Sequence, residues 1–147
     1  MSYNTIKVKK YNDVIEEFVA ASTITPGMLV EPTSTGTIKA HDTAGANQMA
    51  MFALEDELQG GLISDDYSAL DQVQVWVAGR GDMVYGILVT GQNVTAGAYL
   101  VSNGDGKLKA LADFASVGGV ETLEVVGQAT EAVNASAADK RIVVRIY

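Results

Sequence analysis

The chain has 147 residues, no cysteine, 15 glycines against two prolines, and 48% apolar residues. That is enough chain for one domain with a real core, and it excludes disulfides, thiolate chemistry and zinc–thiolate sites. The net charge of −8 is unevenly spread: residues 1–10 and 140–147 each carry +3, leaving −14 on the span between them. An acidic body of that kind repels phosphate backbones, so no nucleic-acid partner is expected.

The first ten residues, MSYNTIKVKK, lack an apolar signal core, and no run approaches a membrane span of about 18 residues. The expectation is a soluble protein made in the cytoplasm, with no membrane partner. Tyr3, Ile6 and Val8 alternate with Lys7 and Lys9, followed by Lys10, so an extended segment puts apolar side chains on one face and amines on the other. Residues 1–20 read either as an arm that adds a strand to a neighbour or as the first strand of the chain's own fold. VIEEFVAA has strand composition, although Asp13 to Glu17 could also open a helical turn.

From Ile24 the chain reads ITPGMLVEPTSTGTIKA, and from Val94 it reads VTAGAYLVSNGDGKLKA. Without a gap, the two stretches share Thr25/Thr95, Gly27/Gly97, Gly36/Gly106, Lys39/Lys109 and Ala40/Ala110. Each reads as turn, strand, turn, strand. Gly27, Gly36, Gly97 and Gly106 are the turn-forming residues, expected at positive φ where a Cβ is strained. The echo continues in Ala53-Leu54-Glu55 and Ala129-Thr130-Glu131, 76 positions apart. Residues 21–147 therefore read as a single β domain built on a duplicated hairpin, 24–40 and 94–110, with two units closing one barrel.

His41 lies alone in a loop of small residues and reads as solvated, since catalysis needs positioned partners. QMAMFALEDEL has strand composition at its start and is also the best helix candidate. QVQVWVA alternates, with Val73, Val75 and Val77 on one side and Gln72, Gln74 and Trp76 on the other. GRGD reads as a hairpin turn before MVYGILV, and its Arg80-Gly81-Asp82 as turn chemistry more than an adhesion signal. NGDG at 103–106 supplies a tight hairpin. ETLEVVGQAT and RIVVRIY complete about ten short strands, which predicts an all-β barrel or sandwich.

No catalytic residue, cofactor site or metal site stands out. The acids Glu55-Asp56-Glu57 and Asp65-Asp66 lack partners converging in sequence, and NGDG lacks the distal bidentate acid of a calcium loop. P-loop, dinucleotide-binding and nucleophile-elbow signatures are missing. The sequons Asn93-Val94-Thr95 and Asn134-Ala135-Ser136 matter only in a secreted protein.

The ALEDELQG segment, the spacing Ile63, Asp65, Tyr67, the Gly81-Asp82 pair before a strand, and LVSNGDGKL from Leu100 to Leu108 resemble the capsid decoration (cement) proteins of tailed bacteriophages. The likeness spans residues 22–147 in order. Ala98 departs from it where an acid often follows the glycine, and residues 1–20 match less well. It implies a compact β-barrel or β-tulip body with an N-terminal arm. It further implies a non-enzymatic homotrimer on the outer surface of the virion, holding major capsid protein subunits together. Tyr3, Ile6, Lys7, Val8, Lys9 and Lys10 are then the candidate capsid contacts. The alternative is a β-clip-like binding module for a surface or carbohydrate partner, for which Trp76 and Tyr67 supply aromatic rings. An enzyme of barrel fold ranks last.

Overall fold

The computed structural model describes residues 2–46, 48–111 and 125–147. Among them are thirteen short strands and one 3₁₀ turn, Glu57–Gln59, so the protein is all-β. Of the two readings left open for QMAMFALEDEL, strand and helix, the strand forms. The first part of the segment is a strand and only Glu57–Gln59 coils, because Met51, Phe52 and Ala53 are each buried between neighbouring strands.

The second half closes into a five-stranded barrel. Its strands are β7 (Met83–Leu88), β9 (Tyr99–Ser102), β10 (Leu108–Ala110), β11 (Gly127–Ala129) and β13 (Lys140–Ile146). Around the ring the order is β7-β10-β9-β11-β13, and β13 pairs back onto β7. The one parallel joint is Leu88 with Leu108. The short pair β8 (Asn93–Val94) and β12 (Val133–Asn134) caps one end.

The first half repeats this ring strand for strand. β2 (Val14–Val19), β6 (Gln72–Val77) and β5 (Met51–Ala53) form a sheet, and β3 (Val30–Pro32) with β4 (Ile38–Ala40) form a hairpin. Single bridges complete the circuit: Leu29 with Phe52, and Ala20 with Ile38, the latter again parallel. The hairpin registers agree residue for residue, since Val30 faces Ala40 where Leu100 faces Ala110. The same holds for single hydrogen bonds. Gly27 N donates to Ala53 O and Gly97 N to Ala129 O, both at 2.8 Å. Ala21 N donates to Ile38 O at 2.8 Å, and Val89 N to Leu108 O at 3.0 Å. The duplicated phrase is therefore one hairpin of each of two barrel-like units, which corrects the expectation that the two units close a single barrel: each hairpin pairs only with strands of its own half.

Each unit fills its own interior from matching positions. Ile24, Val30, Ile38, Ala53, Val73 and Val75 form the first core, while Val94, Leu100, Leu108, Ala129, Ile142 and Val144 occupy the same places in the second. Alternation sends Val73 and Val75 inward. Trp76, on the opposite face, is also fully buried, because it joins Leu29, Phe52 and Leu54 in the apolar cluster of the second unit. The seam between units thus contains an apolar patch of Leu29, Phe52, Leu54 and Trp76, each 0–2% exposed.

Two expectations are corrected here. GRGD does not join paired strands: β6 pairs with β2 and β5, whereas β7 pairs with β1 (Lys7–Lys9), β10 and β13, so the turn carries the chain from one unit to the other. His41 is 1% exposed, not solvated. Its Nδ1 lies 2.7 Å from Ser102 Oγ and its carbonyl accepts from Gly106 N at 3.0 Å, which pins the loop of one unit to the hairpin of the other.

Candidate functional site

The N-terminal segment lies at the seam. β1 pairs antiparallel with β7, Lys7 opposite Val84 and Lys9 opposite Met83, with a bulge between them. Ile6 is fully buried, its amide donating to Glu55 Oε2 at 3.1 Å and its carbonyl accepting from Tyr85 N at 2.9 Å. Tyr3 stacks edge-on against Tyr85 at 5.4 Å between centroids, and Val8 is half-buried against the same core. The segment is the first strand of the chain's own fold, and its apolar side chains are already covered.

What it leaves outside is charge. Lys9 and Lys10 are exposed; Lys9 lies 5.3 Å from the Tyr11 ring centroid, and Lys10 bonds Asp13 Oδ2 at 2.8 Å. That bond, with the Lys7 amine 4.0 Å from Asp13, holds the Asp13 carboxyl below its ordinary range. Of the six candidate contacts, Lys9 and Lys10 are exposed, the latter paired with Asp13, whereas Lys7 is largely covered and Ile6 is closed off.

The four turn glycines all have positive φ: +92° at Gly27, +83° at Gly36, +93° at Gly97 and +78° at Gly106. They differ in surroundings. A Cβ on Gly27 would strike Arg141 and the Tyr85 carbonyl, and one on Gly106 would press Met28 and Ala40 at 3.1 Å. The repeat-related Gly36 has nothing within 4 Å, and Gly97 only Gln128 Nε2 at 4.0 Å. One glycine of each pair sits in the seam and the other faces open space.

Arg141, which sequence reading left as one more terminal base, is a clamp across the seam. Its Nη2 donates to Ile63 O at 2.8 Å, its Nη1 donates to Pro26 O, and the guanidinium lies 5.9 Å from the Tyr85 ring centroid. Burial lowers its pKa from the ordinary arginine value, with Tyr85, Asp66 and Glu55 opposing that shift. In sequence Glu55 stood out both as one acid of a cluster and as the end of the Ala53-Leu54-Glu55 echo. Its recurrence as Glu131 was the usable signal, since Glu131 Oε1 likewise accepts a backbone amide, from Val143 at 3.2 Å.

Two aromatic candidates for carbohydrate stacking are withdrawn. Trp76 is fully buried with Nε1 donating to Asn12 O at 2.9 Å, and Tyr67 is buried with its hydroxyl donating to Leu54 O at 2.6 Å. Burial pushes the Tyr67 hydroxyl pKa upward, with Asp56 adding to the shift. Asp82 is also enclosed, accepting from Tyr11 N at 2.6 Å and Gly79 N at 2.7 Å, so Arg80-Gly81-Asp82 is not presented. Among the described residues, no three His, Asp or Glu side chains converge to hold a metal ion, and no helix is long and apolar enough to cross a membrane. No known family model matches the chain, nor does any curated protein.

Proposed function

We propose that this chain is a capsid decoration protein, a non-enzymatic homotrimer that binds the outside of an icosahedral phage head and ties major capsid protein subunits together. The observation that carries the reading is the ordered resemblance over residues 22–147, from ALEDELQG through LVSNGDGKL. The geometry supports it in two ways. The body is duplicated, and its buried His41, Glu55, Asp82 and Ser102 are bonded to one another or to backbone. The N-terminal strand also displays Lys9 and Lys10 on a body of net negative charge, a polarity suited to docking on an acidic shell.

The test is reconstitution. Expanded heads lacking the chain, mixed with purified protein, should take it up to a fixed saturating copy number on their outer surface, seen by electron microscopy. The double variant Lys9→Glu/Lys10→Glu, whose side chains are exposed, should keep the fold and bind heads more weakly, chiefly through slower association. Heads that take up no protein, or take it up without saturation, overturn the reading.

A further inference from the structure

The seam inside the chain is a joint between two unlike faces of two like units. The first unit contributes the face bearing Leu29, Phe52 and Trp76. The second contributes the face bearing Tyr85, Arg141 and Gly106, with Leu29 N donating to Gly106 O at 2.8 Å. Under the repeat, the first face recurs on the second unit as Tyr99, Gln128 and Arg145, because Phe52–Trp76 corresponds to Gln128–Arg145 in strand register. The second face recurs on the first unit as Glu17, Gln72 and Gly36, because Glu17–Gln74 corresponds to Tyr85–Val143. The two sets do not overlap. A head-to-tail joint therefore uses one copy of each face and leaves one copy of each open.

Both open faces look like unfinished joints. On the second unit, Tyr99 and Tyr147 are 47% and 67% exposed and meet edge-on at 6.3 Å between ring centroids. Arg80, 5.6 Å from the Tyr147 ring centroid, and the exposed Arg145 make this face aromatic and basic. On the first unit, Glu17, Asp56 and Asp71 line a depression of about 410 Å³, so that face is acidic. β7 is covered by β1, but the corresponding β2 has Val14 and Ile15 exposed, and Gly36 and Gly97 stand open where Gly106 and Gly27 are packed.

We propose that the Tyr99/Arg145 face of one copy docks on the Glu17/Gly36 face of another, repeating between chains the joint that holds the two units together within one. The partner is a second copy of this chain, identified by the internal template and by opposite charge. The joint is heterologous, so it closes into a ring or runs on as a filament and does not stop at two chains. Three such joints would close the homotrimer proposed above, so the inference deepens that reading; protein that saturates heads yet stays single or dimeric in solution overturns this joint and leaves head binding standing.

Light scattering on the purified full chain should show species larger than two chains, weakening as salt is raised. Arg80→Gln/Arg145→Gln removes the charge of the basic face and Glu17→Gln/Asp56→Asn that of the acidic one. Each should lower the association constant by about tenfold or more, with the buried Trp76 emission unchanged as proof of fold. An equimolar mixture of the two variants retains one intact face of each kind. It should give a species of two chains and nothing larger. A wild-type chain that stays single or stops at a dimer overturns the proposal. So do variants that assemble like wild type, or a mixture that remains single chains.

Discussion

Alanine at the four repeat glycines separates backbone strain from packing at the seam, because the strain is common to each pair. Gly27 and Gly97 have φ of +92° and +93°, and Gly106 and Gly36 have +78° and +83°. Placing a Cβ in left-handed backbone costs about 1–2 kcal/mol, offset by about 0.4–1 kcal/mol of lost freedom in the unfolded chain. Gly97→Ala and Gly36→Ala, with open surroundings, should therefore cost about 1 kcal/mol. At Gly27 the new carbon would lie 2.7 Å from the Tyr85 carbonyl oxygen, a backbone atom that cannot step aside. Overpacking of that kind adds about 1–3 kcal/mol, for a total of about 2–4. Gly106→Ala should fall between, because the Met28 side chain it presses at 3.1 Å can yield by a few tenths of an ångström. Urea unfolding followed by emission of the single tryptophan gives the four values. Repeating it at tenfold higher concentration exposes any contribution from association. Equal costs at Gly27 and Gly97, within about 0.5 kcal/mol, would refute the assignment of the seam.

Glu55→Ala leaves the buried Ile6 amide without its carboxylate, at about 1–3 kcal/mol; amide exchange at Ile6 and Tyr85 and tryptic cleavage after Lys7 to Lys10 should accelerate, with Glu55→Gln restoring most of the protection. Unchanged exchange in the alanine variant would mean that β1 is held by its strand pairing alone. At Asp139, the Lys107 amine at 2.8 Å, helped by the Thr90 amide, holds the carboxyl below its ordinary value. The folded protein thus binds that proton less readily than the unfolded chain, so the pair's contribution is full above about pH 4 and disappears as pH falls through the depressed value. Asp139→Asn should cost only about 0.2–1 kcal/mol at neutral pH and flatten the acid side of a stability–pH profile; an unaltered profile refutes the assignment.

Much of the fold could be read from local pattern. The Val73/Val75 alternation fixed one inward face, and the turn glycines marked places where left-handed backbone recurs. What period-two alternation cannot say is whether the outward face is wet. Trp76 and Phe52 point away from their own core yet are fully buried, because a second unit lies over them. His41 looked solvated for the same reason: its partner Ser102 is 61 positions away and belongs to the other unit. GRGD has hairpin composition, but turn composition carries no information about which strands it will separate. The candidate N-terminal contacts were legible as an amphipathic strand. That Ile6 is fully buried rests on apolar residues far along the chain, and its amide is answered by Glu55, 49 residues on.

The two units share backbone far more closely than sequence, and the positions that stayed alike show why. Gly27/Gly97 and Gly36/Gly106 answer to φ, which neighbouring side chains cannot relax. Ala53/Ala129 sits where the turn amide is accepted, and Glu55/Glu131 each accept a backbone amide from a different strand. Core volume is under a looser rule. Phe18, Ala20, Met51 and Val73 in the first unit correspond to Gly86, Leu88, Gly127 and Ile142 in the second, so only part of the bulk removed at two positions returns at the other two. Close packing constrains the sum and the shape of the interior more than the identity of any one side chain. Two five-stranded rings can thus keep one topology while only their turns remain recognisable in sequence. The outward faces are under neither constraint. They diverged into an apolar seam on one side, a tyrosine–arginine surface on the second unit and an acidic depression on the first.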